Sequence, residues 1–304
     1  MLNEDLDRHI SLHHALGFKF RTQALLLRNF VAYAEARGDQ IISADRVLAW
    51  AVEAPSPQQR RNRLLEVRRF AIAMHAEDDR HEIPATDAFG RGLFTRRIPH
   101  IYSQDDILRL MTAAASLSPA GTIRPLTYAT LFGLLAATGM RISEALALRL
   151  ADITDDGLIV DKTKFKKSRL LPLHPSTRRA LNAYLAVRLR VAAESDILLI
   201  GNTGKAVAYP TVIAIFLRLT RSIGLRRTPG TGGPRIHDLR HTFAVRSLES
   251  CHSNAAAVSR HIVGLSTYLG HAHVTDTYWY LQASPALMTH IADAGEALQR
   301  GEVQ

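Results

Sequence analysis

Residues 81–103 break the hydrophobic periodicity of an otherwise regular chain. Pro84, Gly90, Gly92 and Pro99 punctuate the stretch, and Arg96 and Arg97 give it charge. Proline removes a backbone donor and glycine leaves the backbone unconstrained, so neither a helix nor a strand runs through it. The spacing predicts a domain over 1–83, a linker over 84–102 and a second domain over 103–304. A length of 304 residues suits that division.

The first domain reads as helices. Leu6, Ile10, Leu12 and Leu16 form a loose helical stripe ended by Gly17. Thr22 is placed to cap a second helix, with Leu25, Leu26, Phe30 and Ala34 as its apolar face and Gly38 as its stop. Ser43 caps a third, containing Val47, Leu48 and Val52. Ser56-Pro57 opens a fourth, because proline fits the first helical turn. Leu64, Val67, Phe70, Ala71 and Met74 point inward from it. Arg60, Arg61, Arg63, Arg68 and Arg69 cannot all share that face. Part of this set is expected outside, as a solvated basic surface or one suited to DNA phosphates, and Arg96 and Arg97 extend it.

The second domain mixes helices with a small sheet. Ser103 is placed to cap a helix over 105–114. An apolar helix over 126–137 is stopped by Gly139, and Ser143 is expected to cap a short helix. Asp155-Asp156-Gly157 makes a turn. Leu158–Val160 and Arg169–Leu173 alternate as two strands, with Lys162, Lys164, Lys166 and Lys167 at the hairpin tip. Helices are expected over 176–192, 210–223, 237–250 and 254–268, and a glycine-rich loop occupies 224–235. A turn at Leu269-Gly270-His271 and a short stretch to Tyr280 lead to an amphipathic helix over 285–298. The fold class is mainly α with a small antiparallel β-sheet.

One cysteine, Cys251, excludes a disulfide framework and a cysteine-based zinc site, and fits a reducing, cytosolic setting. The polar N-terminus is no secretory signal, and no apolar run is long enough to span a membrane. Net charge is +10 and unevenly spread. Residues 1–100 hold 15 Lys/Arg against 13 Asp/Glu, and residues 101–304 hold 23 against 15. A basic surplus concentrated in one domain points to a polyanion as partner.

Within that domain, His237-Asp238-Leu239-Arg240-His241 packs two imidazoles and a guanidinium into five positions at the start of a helix. Such a start favours an anion, and arginine's planar fork suits a phosphate. Taken in isolation the stretch also fits a solvated helix end, or a metal site, since His237 and His241 share a helical face.

The ordered series Thr138-Gly-Met-Arg-Ile-Ser-Glu144, the lysine hairpin, His237–Arg240, Leu269-Gly-His271 and Tyr280 resembles the tyrosine recombinase (phage integrase) family. The resemblance covers the whole second domain in order and spacing and implies an α+β catalytic domain of the integrase type there. The helical first domain is similar to that family's SAM-like core-binding domain by pattern only. Position by position, the resemblance implies catalytic roles for Arg141, Lys164, His237, Arg240 and His271, with Tyr280 as nucleophile. Lys164 is chosen because it lies eight residues before Pro172, with Lys162, Lys166 and Lys167 as rivals. Tyr280 is chosen by its spacing from His271, with Tyr278 as rival.

The implied activity is site-specific recombination of double-stranded DNA through a covalent 3′-phosphotyrosine, without metal or other cofactor. Tyrosine can attack phosphorus and retain the bond energy. Arg141 and Arg240 would clamp the phosphoryl oxygens; Lys164 would protonate the departing 5′ oxygen; His237 and His271 would assist at the tyrosine and the phosphate. Glu144 is expected in the first turn of its helix or orienting an arginine, Asp238 as a helix cap, and His241 in a supporting position. The resemblance implies a homotetramer on paired sites, a cytoplasmic protein associated with the nucleoid when bound, and leaves accessory DNA-bending proteins open. The chain begins directly at its first helical domain, which leaves no room ahead of it for an arm-type DNA-binding module, and the helix over 285–298 is a candidate arm for a neighbouring copy. Two rivals remain: a zinc hydrolase, disfavoured by Asp238 where a catalytic Glu would stand and by Arg240 beside the metal, and a DNA-binding protein that does not cleave.

Overall fold

The computed structural model describes residues 2–90, 97–161, 168–192, 194–227, 232–250 and 255–280, with 296 and 300, the side chains of 255–259 excepted. The chain divides into two compact units, 1–96 and 97–304. The stretch expected as a linker is shared between them. Arg68 Nη1 donates to the Pro84 carbonyl and Arg61 Nη1 to that of Gly90 in the first unit, while Tyr102 is fully buried in the second. Arg96, Lys162, Lys164, Lys166, Lys167 and nearly all of the helix expected over 285–298 lie outside the described residues.

The first unit holds α1 (Leu2–Ala15), α2 (Arg21–Glu35), α3 (Ala44–Val52) and α4 (Pro57–His75). Ser43 accepts from Arg46 N and Ser56 from Gln59 N, so one orphan donor of each helix start is met as the spacing predicts. Helix α2 begins one residue before Thr22, with Phe20 in left-handed conformation and no side-chain cap. The inward face of α1 is Leu2, Leu6, His9 and Ile10; Leu12 and Leu16 are exposed. Leu12 lies two residues beyond Ile10, which turns it about 200° away, and Leu16 falls past the helix end. Leu25 and Val52 face solvent for the same angular reason; Leu27, Phe30, Val31 and Ala34 supply the buried face of α2. Phe30 and Phe70, both without exposed surface, anchor this core, and burial of each contributes about 1.5–3 kcal/mol.

The second unit holds α5 (Gln104–Ala115), α6 (Ile123–Thr138), α7 (Ile142–Ala147), strands β1 (Ile153–Thr154), β2 (Gly157–Val160) and β3 (Arg169–Leu171), then α8 (Pro175–Val191), α9 (Tyr209–Ser222), α10 (Asp238–Glu249), α11 (Ala255–Leu269) and α12 (Thr275–Tyr278). The strands form one antiparallel sheet in the order β1-β2-β3, with Leu158 opposite Leu171 and Val160 opposite Arg169. Ser103 and Asp106 cap α5 reciprocally. Helix α6 is buried on most sides and ends at Gly139 with φ +59, a left-handed end that glycine adopts without strain. The short α7 is capped by Arg141 rather than Ser143: Glu144 reaches back to the Arg141 N–H at 2.9 Å. A second reciprocal network sits at the start of α10. Asp238 accepts from the Arg235 N–H at 2.8 Å and from the Arg235 side chain, so it closes the preceding turn instead of capping its own helix.

Candidate active site

Four chain segments converge in the second unit: the end of α6 with the start of α7, the start of α10, the turn after α11, and α12 with the two residues that follow it. Main-chain carbonyls hold the convergence. Arg240 is almost fully buried; its Nη1 donates to the Gly139 carbonyl and its Nη2 to the Leu269 carbonyl, each at 2.9 Å. Arg141 Nη2 donates to the neighbouring Gly270 carbonyl at 3.1 Å, and its Nη1 to Glu144 Oε1 at 2.8 Å. Two guanidiniums are thus referenced to adjacent carbonyls of the same turn. Burial first, and the nearby Arg141 charge second, lower the Arg240 pKa to about 10, so it stays cationic at neutral pH.

Tyr280 is buried beside Arg240. Burial raises its hydroxyl pKa, and the charge and hydrogen bond of Arg240 oppose that rise. The ring of His271 lies nearly parallel to that of Tyr280, with centroids 6.0 Å apart. His271 Nδ1 is 2.8 Å from Thr277 Oγ1, which ties the turn to α12. Burial, then the Arg240 and Arg141 charges, lower the His271 pKa to about 4, so the ring is neutral near pH 7. His237 is open to solvent on one side; protein packed on its other sides first, and Arg240 second, lower its pKa. Its ring meets that of His241 edge-on at 4.8 Å. His241 in turn lies 5.1 Å from Trp279 and 5.5 Å from Tyr280, with a buried Nδ1 that makes no hydrogen bond and a pKa lowered to about 4, chiefly by burial.

The structure therefore brings Arg141, His237, Arg240, His271 and Tyr280 together. Tyr278, the rival tyrosine, is half-exposed. Glu144 does orient an arginine, and it does so twice: its carboxylate also accepts from Arg169, at 2.7 and 3.2 Å. Burial by itself would raise the Glu144 pKa; the hydrogen bonds from Arg169 and Arg141 outweigh it and hold the group below its ordinary value. Arg169 carried no role in the sequence reading, but a signal was there. Side chains alternate along a strand, so Arg169 shares the inward face of β3 with Leu171, and a buried charge requires a partner. Tyr102 was missed as well; its N–H donates to Thr242 Oγ1 and its hydroxyl to the Arg235 carbonyl, fixing the start of α10.

Among the described residues no three His, Cys, Asp or Glu side chains are grouped to hold a metal ion, and no helix is long and apolar enough to cross a membrane. The arginines expected on the basic surface of the first unit use donors internally: Arg60 to Ala54, Arg61 to Gly90, Arg63 to Trp50 and Arg68 to Pro84, all to carbonyls at 2.8–3.0 Å. Arg69 is exposed and pairs with Glu66. Arg97, in the second unit, donates to the Gly233 carbonyl at 2.9 Å.

The phage integrase family profile matches residues 101–286. The chain is 39% identical over 298 residues to a Sinorhizobium fredii protein that carries the name integrase/recombinase y4rB, with 93% of each chain covered. It is 29% identical over 213 residues to the tyrosine recombinase XerD of Caulobacter vibrioides, covering 67% of this chain and 64% of that one. Among solved structures, a lambda integrase tetramer bound to a Holliday junction shares the fold, with a TM-score of 0.66 at 18% identity over 92% of this chain and 76% of the other. The profile match over most of the chain, joined to the near full-length identity with y4rB, places this chain in the phage integrase family, as a tyrosine-type site-specific recombinase.

Proposed function

We propose that this chain cleaves and rejoins double-stranded DNA through a covalent 3′-phosphotyrosine on Tyr280. The observation that carries the reading is the convergence of two guanidiniums and one buried phenol on the turn at 269–271. In the forward step the Tyr280 oxygen forms a bond to phosphorus, the bond to the 5′ oxygen breaks, the phenol gives up its proton and the leaving oxygen takes one. Arg141 and Arg240 stabilise the charge on the non-bridging oxygens, the function that a planar fork serves best. Neutral His237 can accept a proton at the tyrosine, and neutral His271 can donate a hydrogen bond to the phosphate. Lys164 is the proposed donor to the 5′ oxygen, with Lys162, Lys166 and Lys167 close by in the chain. Reversal with a different 5′ hydroxyl rejoins the strand, and no external energy source is needed because the phosphodiester bond energy is kept.

In this reading cationic side chains supply the charge that a metal ion supplies in other phosphoryl-transfer sites. Arg97 and whatever donors Arg60, Arg61, Arg63 and Arg68 retain would meet backbone phosphates, with binding that weakens steeply as salt rises. Four copies acting two at a time on paired sites is the proposed assembly, supported by the shared fold with the lambda integrase tetramer. The working location is the cytoplasm, on DNA.

The test is covalent trapping on nicked duplexes drawn from the DNA flanking the protein's own gene, with a chelator present. A phosphotyrosine mapped to Tyr280 is the expected result. An adduct at Tyr278 would keep the chemistry and move the nucleophile. Tight binding to a flanking fragment with no adduct on any nicked version of it would turn the reading towards a DNA-binding protein that does not cleave.

A further inference from the structure

Arg169 opens β3 and reaches two other segments at once. Its Nη1 and Nη2 meet the two oxygens of Glu144 at 3.2 and 2.7 Å, and its Nε donates to the Tyr268 carbonyl at 2.7 Å. Both partners of the ion pair are nearly sealed from solvent, with side chains 9% and 7% exposed. The same Glu144 carboxylate holds the Arg141 side chain and its N–H. The turn beyond Tyr268 supplies the Leu269 carbonyl to Arg240, the Gly270 carbonyl to Arg141, and then His271. Gly270 lies directly against the guanidinium: a Cβ there would sit 2.8 Å from Arg169 Nη1. One side chain thus ties the sheet to the carboxylate that aims Arg141 and to the turn that aims Arg240 and His271.

We propose that Arg169 is a positioning residue for DNA cleavage, a three-way brace that makes the Arg141 clamp and the His271 turn close on the same phosphate. The proposal rests on the recombinase reading above. The hydrogen bonds of Arg169 go to Glu144 and the Tyr268 carbonyl, not to Tyr280 and, in this reading, not to the DNA. A buried ion pair is an uneconomical way to gain stability alone, whereas a bidentate fork with a third donor fixes geometry in three directions.

The charges that face Glu144 are Arg141 from α7, Arg169 from β3 and, at longer range, Arg240 from α10; the end of α11 presents only carbonyls and the uncharged Tyr268. With Arg169 replaced by a neutral side chain, burial works against the Glu144 charge with less opposition. The carboxylate then takes up a proton in mild acid and lets go of Arg141. That gives a signature a scaffold residue would not produce.

The experiment measures single-turnover adduct formation on a nicked duplex that the parent protein cleaves, from about pH 5 to about pH 8, beside DNA affinity and thermal melting. For Arg169→Met the expected result is a rate loss on the order of 100-fold, with affinity within about 2-fold and a new acid limb on which the rate falls as pH drops. Adding Glu144→Gln removes that limb. Arg169→Lys keeps a charge beside Glu144, so its profile stays that of the parent, but an ammonium cannot hold both oxygens and the Tyr268 carbonyl in one plane and the rate stays low. Should Arg169→Met not fold, the parental profile of Arg169→Lys at a low rate, with DNA affinity and melting unchanged, carries the test. Parental rate and profile in both variants overturn the proposal, as does a loss of adduct that merely follows a loss of melting temperature or affinity with no change in profile. Failure of the parent protein to form an adduct on any DNA it binds is a different outcome: it removes the recombinase reading, and the brace with it.

Discussion

The Gly139 carbonyl accepts a hydrogen bond from Arg240 Nη1 at 2.9 Å, across 101 residues of chain. The same glycine has φ +59, and a Cβ on it would lie 2.5 Å from Phe243 Cδ1. The residue that stops α6 has no room for a side chain because its backbone is pressed against α10. Gly139→Ala is expected to cost about 2–4 kcal/mol of stability, from overpacking and a left-handed backbone together. Urea denaturation measures it, and adduct formation should fall even at temperatures where the variant is folded. A variant as stable as the parent would mean that α6 and α10 can separate without consequence.

Lysine at Arg240 or Arg141 preserves charge but not the fork. Arg240→Lys leaves the Gly139 and Leu269 carbonyls to share one ammonium nitrogen in place of two fixed Nη donors and is expected to slow adduct formation about 100- to 1000-fold. DNA affinity, set by many phosphate contacts, should change far less. Single-turnover cleavage read beside filter binding separates the two, and full activity in either lysine variant would remove the clamp.

Tyr280→Phe deletes one buried hydroxyl and nothing else. It should abolish the adduct while keeping DNA binding, and Tyr278→Phe should leave adduct formation intact because that half-exposed side chain lies outside the packed site. Peptide mapping of trapped complexes distinguishes them.

His241 and His271 both have folded pKa values near 4, against 6.5 for the free side chain. Between those values the unfolded chain binds more protons, so stability rises with pH across the window. Their contribution is complete above about pH 6.5 and is lost as pH falls towards 4. Melting temperature should drop over that range, and His241→Phe, which removes a buried nitrogen without a partner, should flatten part of the drop. An unchanged slope in that variant would mean that His241 takes up its proton without hindrance in the folded protein.

Arg188 in α8 is fully buried, and its guanidinium donates to the carbonyls of Ala192, Ser195 and Ile197. It closes the loop that follows its helix, and none of these hydrogen bonds reaches the convergent turn. Arg188→Met is expected to destabilise the second unit by about 2–4 kcal/mol by leaving those carbonyls unpaired. Where the variant is folded, adduct formation per folded molecule should be unaffected, which makes it a control for the site variants.

Local chemistry explains which elements were legible. Ser43, Ser56 and Ser103 cap the helices that their spacing predicts, because a cap needs only donors two or three residues away. Asp155-Asp156-Gly157 makes its turn for the same reason. Where several partners compete for one side chain, or the direction of the core decides, the pattern alone is ambiguous. Ser143 looks like a cap, but Glu144 is already drawn towards Arg141 by the buried Arg169 pair, so the helix starts earlier. Asp238 looks like a cap too, yet Arg235 claims its carboxylate. Leu12, Leu16 and Leu25 are apolar but turned away from the core that Phe30 and Phe70 organise.

Order and spacing along the chain were enough to select the family and to single out Arg141, His237, Arg240, His271 and Tyr280 as candidates, which the fold brings together. Their chemical state was not readable in that way. That His271 is neutral, that Tyr280 is buried against Arg240, and that Glu144 serves two arginines follow from burial and from carbonyls contributed by turns as many as 129 residues away. Desolvation and hydrogen-bond direction depend on distances in space, and a linear sequence does not contain those distances until α6, α10, α11 and β3 have packed.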